Sequence, residues 1–191
     1  EEEAAKYIST EEGKEVADAK AAIAGAMDII AEQISDEADY RMYIRKLTME
    51  EGVITSTAKD EKEQSVYEMY YEFQEQVNKI AGHRVLALNR GEKEKMLVIR
   101  LIAPEERILQ YLRTKVITAE NANTEPVLAE AVEDSYKRLI APAIEREVRN
   151  ELTEKAEDGA IRVFGKNLEQ LLMAPPIAGK TVLGWDPAFR T

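Results

Sequence analysis

The sequence predicts a mainly α-helical protein, an irregular multi-helix assembly with a minor two-stranded β ribbon. Alanine, glutamate, leucine and isoleucine dominate the 191 residues, which include only nine glycines and six prolines. That composition favours helix. Apolar residues recur every three or four positions along much of the chain, which is the spacing of one helix face. Because the predicted helices differ in length and connection, we expect an irregular assembly rather than an up-and-down bundle.

The first third of the chain is predicted to hold two helices, a strand and a third helix. An apolar stripe covers 19–34, and Ser35 followed by two acids is expected to cap a second helix that stops at Gly52. The β-branched run at 53–57 predicts a short strand. Apolar residues in helical phase then predict a helix over 64–73.

The middle of the chain supplies the partner strand. A short helix is expected over 83–89, ended by Arg90-Gly91. Residues 97–102 are the strongest strand candidate, and we expect them to pair with 53–57. Pro104 is predicted to stand at the first position of the next helix.

The last third is predicted to be helical with one interruption. A long helix follows the loop-like stretch 121–126, and Pro142 is expected to break or kink it near Ala141. The apolar stripe resumes after the break, and a last helix over 161–172 is predicted to close at Pro175-Pro176.

The C-terminal tail predicts a domain border. Residues 181–184 read as the start of a buried strand, and Asp186 follows it. Strands that end in an aspartate often open a catalytic or nucleotide-binding α/β domain. We therefore interpret 1–174 as a helical region, 175–180 as a linker and 181–191 as the truncated first strand of a following domain, so that the chain is a piece of a longer protein.

Charge and composition limit the function classes. The net charge of −11 argues against a simple nucleic-acid-coating protein. The absence of cysteine excludes disulfides and thiolate catalysis and suits a cytoplasmic setting. No signal peptide is visible, and the longest aliphatic stretch, 96–103, is too short to span a bilayer.

A basic island interrupts this acidic chain. Residues 77–115 carry nine basic and four acidic side chains. One interpretation is that these charges pair with acidic neighbours in the fold. The other is weak nucleic-acid contact, although interleaved aromatic residues for base stacking are missing. The candidate nucleic-acid-binding residues are Arg84, Arg90, Lys93, Lys95 and Arg100.

Residues that could support catalysis are sparse. His83 is the single histidine, and no metal-ligand spacing accompanies it, so we expect it to cap or pack. Gly179-Lys180-Thr181 resembles the end of a phosphate-binding loop, but Ala174 stands where that loop needs its first glycine. Asp186 alone cannot form a metal site. The sequence therefore predicts no catalytic residue, no metal, no cofactor and no enzymatic activity.

Several motifs, which follow one another along almost the whole chain, resemble the bacterial Tex family. They are Ala24-Gly25-Ala26-Met27-Asp28-Ile29-Ile30-Ala31-Glu32, Gly82-His83-Arg84-Val85-Leu86-Ala87-Leu88-Asn89-Arg90-Gly91-Glu92, Glu133-Asp134-Ser135-Tyr136-Lys137-Arg138-Leu139-Ile140, Arg149-Asn150-Glu151-Leu152, Phe164-Gly165-Lys166-Asn167-Leu168-Glu169-Gln170-Leu171-Leu172 and 179–191.

The resemblance implies a transcription accessory factor of the cytoplasm. Tex-like proteins combine helical segments with a YqgF/RuvC-like domain of ribonuclease-H type, helix-hairpin-helix motifs and an S1 domain, to which nucleic-acid binding is chiefly ascribed. This chain resembles the central helical region ahead of the YqgF-like domain. The resemblance therefore implies a non-catalytic scaffold of a factor that binds RNA or DNA as a full-length protein. The alternative is a protein-docking module that contacts RNA polymerase or other transcription machinery.

Overall fold

The structure is a computed structural model that describes residues 2, 4–9, 16–60, 65–119, 121–175 and 178–185. In chain order, its main elements are α1 (Ala19–Asp36), α2 (Ala38–Glu51), β1 (Val53–Ala58), β2 (Glu72–Gln76), α3 (Gly82–Lys93), β3 (Leu97–Ile102), α4 (Glu105–Val116), α5 (Glu125–Asp134) and α6 (Ala141–Leu172). A π-helical turn, Ser135–Ile140, joins α5 to α6, and short 3-10 turns lie at Ala4–Tyr7 and Glu68–Tyr70. The mainly helical class is confirmed.

The β ribbon has three strands rather than two. β1 pairs with β3, as predicted, and the pairing is antiparallel with Val53 opposite Ile102. β1 also pairs antiparallel with β2, so that the strand order is β2-β1-β3. The predicted helix over 64–73 is therefore wrong, because the alternating pattern of Glu72–Gln76 matches a half-buried strand that β1 recruits.

The inner face of this sheet holds the core. Ile54 and Ile99 on the sheet are buried against Val85 and Leu88 of α3 and Leu152 of α6. On the other side of the molecule α1 packs against α5 and the π turn. There the Ser135 hydroxyl, fully buried, donates a hydrogen bond of 2.7 Å to the carbonyl of Ala31.

Two predicted helix ends are displaced. α1 continues through Ser35 to Asp36, and the Ser35 hydroxyl donates to the Glu32 carbonyl instead of capping α2. α3 continues through Arg90-Gly91 to Lys93. Gly91 does not end the helix; it leaves room for neighbouring side chains. A Cβ there would lie 2.5 Å from Leu97 Cδ1 and 3.2 Å from Tyr67 Cδ1.

Pro142 does not break the chain's longest helical segment. α5, the π turn and α6 run without interruption from Glu125 to Leu172, a length of about 70 Å at 1.5 Å per residue. Proline lacks an N–H donor, and the π turn just before it widens the backbone so that the helix passes this point. The separate last helix predicted over 161–172 is thus the end of α6.

The tail beyond α6 lies apart from the core. Residues 181–185 have no helix or strand, and Leu183 and Trp185 are exposed. Asp186 and Pro176 lie outside the described residues. The division into a helical region, a linker and a following strand stays a prediction.

Candidate nucleic-acid interface

The five candidate basic residues divide into three places in the fold. Arg84 lies in the first turn of α3, Arg90 and Lys93 lie in its last turn, and Lys95 follows in the turn to β3. Arg100 lies mid-strand on the outer face of the sheet, across from α3, because Leu97 and Ile99 face the core.

Arg84 is neutralised by a carboxylate. Its guanidinium Nη1 donates to both oxygens of Glu75 at 2.8 and 2.9 Å. This hydrogen-bonded pairing raises the pKa of Arg84 above its ordinary value. Strand β2 thus supplies the carboxylate. For Arg84 the geometry favours the first interpretation, pairing within the fold, over a contact with a phosphate.

The end of α3 retains available positive charge. Arg90 is exposed and lies 4.0 Å from Glu94, a pair of little energetic value at the surface. Among the described residues, Lys93, Lys95 and Arg100 are exposed and form no ion pair. Arg90, Lys93 and Lys95 therefore form the most compact group of predicted contacts.

The turn after α3 sets the direction of Lys95. The amide of Lys95 donates to Glu92 and that of Met96 to Gly91, a Schellman helix end. Lys95 accordingly has φ of 62°, a left-handed conformation that is normally taken by glycine. The local hydrogen bonds therefore hold a cationic side chain at a position where sequence statistics would not expect one.

Lys59 joins this group and was missed from the sequence. Its amide donates to the Met96 carbonyl at 2.9 Å, so the end of β1 lies beside the start of β3. The expected pairing of 53–57 with 97–102 places 59 beside 96 only in the antiparallel register that the structure shows, which the sequence did not specify. We define Lys59, Arg90, Lys93 and Lys95 as the α3-end basic cluster.

Other observations bear on metal and membrane roles. Within the ranges that the structure describes, no group of three or more His, Asp or Glu side chains has a geometry that could hold a metal ion. Over the same ranges, the helices are too short or too polar to cross a bilayer. His83 was expected to cap or to pack; it is exposed and no side chain caps α3, so the capping role is wrong.

Comparison with known proteins gives one family. A family described as Tex central region-like matches residues 1–164. The uncharacterized protein YdcI of Bacillus subtilis is 52% identical over 97% of this chain, which covers 26% of that protein. Protein tex of Bordetella pertussis is 32% identical over 98% of the chain and 25% of its own length. The human S1 RNA-binding domain-containing protein 1 is 31% identical over 87% of the chain and 18% of its own length. The chain thus spans about a quarter or less of these relatives.

Proposed function

Because this chain belongs to the Tex central region-like family, we propose that it is the non-catalytic helical scaffold of a Tex-like transcription accessory protein of the cytoplasm, which binds RNA or DNA as a full-length protein. The continuous helical segment Glu125–Leu172 carries this proposal. Its first part is buried in the body, while its last turns extend from it. A long helix of this kind can hold flanking domains at fixed positions.

The α3-end basic cluster then makes a secondary nucleic-acid contact. Its four side chains are exposed cations from two chain segments, 59 and 90–95, and the backbone hydrogen bond from Lys59 to Met96 joins these segments. The chain as a whole is acidic, with a net charge of −11, and repels phosphates at low salt. We therefore expect the full-length protein to bind nucleic acid far more tightly than this chain.

The direct test measures how the 191-residue chain and the full-length protein bind labelled single-stranded RNA and duplex DNA. Fluorescence anisotropy measured from about 50 to 200 mM salt gives the affinity and the number of phosphates neutralised. The scaffold proposal predicts weak or no binding by the 191-residue chain. Equal affinity of chain and full-length protein would overturn it.

A second experiment tests the basic cluster in the full-length protein. Reversal of Arg90, Lys93 and Lys95 to glutamate should lower the slope of log affinity against log salt by about one per lost phosphate contact. The matched control reverses Lys20, Arg162 and Lys166, which changes the net charge equally. An equal effect of both triple variants would mean that overall charge, and not this cluster, acts.

The alternative function, protein docking, also has a specific observation in its favour. The last turns of α6 expose Ile161, Phe164, Leu168 and Leu171, a spacing of three, four and three residues that forms one apolar stripe. Contiguous exposed apolar surface of this kind typically binds another protein surface. On this alternative, the stripe contacts RNA polymerase.

Co-sedimentation of the full-length protein with purified RNA polymerase tests the docking alternative. Leu168→Glu with Leu171→Glu should abolish co-sedimentation, while Arg162→Glu on the neighbouring face of the same turns should preserve it. Retention of binding by the double variant would reject docking through this stripe.

A further inference from the structure

A cavity beside the π turn shares no residue with the α3-end basic cluster. It has a volume of about 330 Å³ and opens between α2, the connection from β3 to α4, the π turn and the start of α6. Ile44, Leu101 and Ile144 contribute apolar walls. The cavity is large enough for an alkyl chain with a polar head group.

Tyr136 is the most unusual residue of this cavity. It lines the cavity and is only 4% exposed. Its hydroxyl forms no hydrogen bond with another described residue. It keeps some contact with solvent, because among the described residues the fully enclosed side-chain oxygen without a partner is Ser56 Oγ. A buried phenol normally satisfies its O–H group, because leaving it unpaired costs free energy. The hydroxyl therefore has hydrogen-bonding capacity available toward the cavity.

The π turn explains why a tyrosine stands there. Ala141 donates its amide hydrogen bond to the Tyr136 carbonyl, five residues earlier, and Pro142 follows immediately. The wider turn changes the helical phase between α5 and α6, so that Tyr136, Ala141 and Ile144 all line one cavity. Such π turns occur frequently at functional sites.

The charges around the cavity favour a cation. Lys137 lies 3.8 Å from Glu105 and 3.7 Å from Glu133, so its charge is already shared between two carboxylates. Glu145 also lines the cavity, is half-buried and forms no ion pair among the described residues. Lys137 itself lines the cavity, but its charge is already balanced by the carboxylates of Glu105 and Glu133. A bound cation would therefore pair with Glu145, whereas that carboxylate would repel an anion.

The protonation state of Tyr136 agrees with this. Burial, with a smaller effect of Glu105, raises the pKa of its phenol to about 12. The phenol stays neutral at physiological pH and offers lone pairs that can accept a hydrogen bond from an ammonium group. The apolar walls would meanwhile cover the methylene groups next to that ammonium.

We propose that the cavity formed by Tyr136, Glu145, Glu105 and the apolar walls is a binding site for a primary alkylammonium group. Glu145 supplies the counter-charge, and the Tyr136 hydroxyl accepts one ammonium hydrogen bond. The same group occurs at the end of a lysine side chain and in free alkyl amines. The site is independent of nucleic-acid binding and of the scaffold proposal.

Amide NMR spectroscopy of the 191-residue chain tests the site. Titration with n-butylamine and with N-acetyl-lysine methylamide should shift resonances of residues 44–48, 101–105 and 136–145. n-Butanol, which has the same alkyl chain without the charge, should cause no saturable shift there. Saturable binding of both amines would show that the site recognises the ammonium head group itself. Binding of the lysine derivative alone would indicate a protein partner, and binding of n-butylamine alone would indicate a small amine.

Matched variants identify the groups responsible. Glu145→Gln and Tyr136→Phe should each weaken the amine by about tenfold, the usual effect of losing a hydrogen bond to a charged group. Glu157→Gln, an exposed change later in α6, should leave binding unchanged. Equal shifts with n-butanol, no saturable shift with either amine, or unchanged affinity in both cavity variants would overturn the proposal.

Discussion

Both halves of α6 carry apolar residues at helical spacing, but their surroundings are opposite. In the first half Ile144, Val148 and Leu152 are buried against α2, α3 and the sheet. In the second half Ile161, Phe164 and Leu171 are 67%, 68% and 72% exposed. One helix therefore presents a covered stripe and an uncovered stripe within 32 residues.

The difference shows that an apolar stripe specifies a face, not its partner. A stripe is buried only where another element reaches it, and here α3 begins at Gly82, beside Ala156. Beyond that point no helix or strand of the described chain covers α6, and the groove between His83, Val163 and Phe164 stays open. The first half stabilises the body, and the second half is available to other surfaces.

The largest expected effect comes from the same substitution made in each half. Ile144→Ala should destabilise the protein by about 2–5 kcal/mol, because Ile144 is 2% exposed and its removal leaves a cavity. Ile161→Ala should change the free energy of unfolding by less than about 0.5 kcal/mol. Urea denaturation of both variants measures the difference. Similar losses would show that the second half of α6 is covered in solution.

Alanine substitutions of two glycines should give smaller effects, of opposite sign to each other. Gly91→Ala should destabilise by about 1–3 kcal/mol, because the added Cβ would overlap Leu97 and press on Tyr67. Gly159, between the two halves of α6, has no atom within 4 Å of such a Cβ.

Gly159→Ala should therefore stabilise the protein by about 0.5–1 kcal/mol through helix propensity alone. Thermal unfolding followed by circular dichroism compares the two glycine variants. A destabilised Gly159→Ala variant would indicate that another surface packs on α6 at the border of its halves.

The smallest expected effect concerns pH. Hydrogen bonds from Arg138 hold the pKa of Asp134 below its ordinary value. A lowered pKa in the folded state contributes stability that is complete above the ordinary aspartate value of about 3.9 and is lost as the pH falls through the folded value. Because Asp134 is partly exposed, this contribution is less than about 0.5 kcal/mol.

Asp134→Asn should accordingly lower stability slightly at neutral pH. The difference from the wild type should begin to shrink below about pH 3.9 and vanish once the pH has fallen through the lowered pKa of the folded state. The control is Glu169→Gln in the exposed half of α6, which has no ion-pair partner among the described residues. Urea midpoints measured across the acid range give the comparison. A constant difference at all pH values would contradict the role of the Asp134 charge.

The parts of the fold that the sequence predicted are those set by local pattern. Apolar periodicity located α1, α2 and α4, and the β-branched runs located β1 and β3 and their pairing. β2 was mistaken for helix because Glu72–Gln76 has weak strand preference and is recruited by β1. Pro142 was expected to break or kink the helix; the break is wrong, because the π turn just before it, which local pattern does not reveal, lets the helix continue.

The candidate interface was predictable in composition but not in arrangement. The excess of basic residues at 77–115 is visible in the sequence, whereas the pairing of Arg84 with Glu75 depends on the position of β2. The Tyr136 cavity had no sequence signal of its own, because its lining comes from α2, the β3–α4 connection, the π turn and α6.

The sequence by itself determined the helical class, the basic island and the two apolar stripes of α6, since these depend on composition and on the order of neighbouring residues. Only the tertiary structure decided which stripe is buried, which cations keep their charge available and which tyrosine lines a cavity. Each of these depends on long-range contacts, such as those between β2 and α3 or between α2 and α6. Burial and ion pairing each need two surfaces in contact, whereas the local sequence of a segment describes only one of those surfaces.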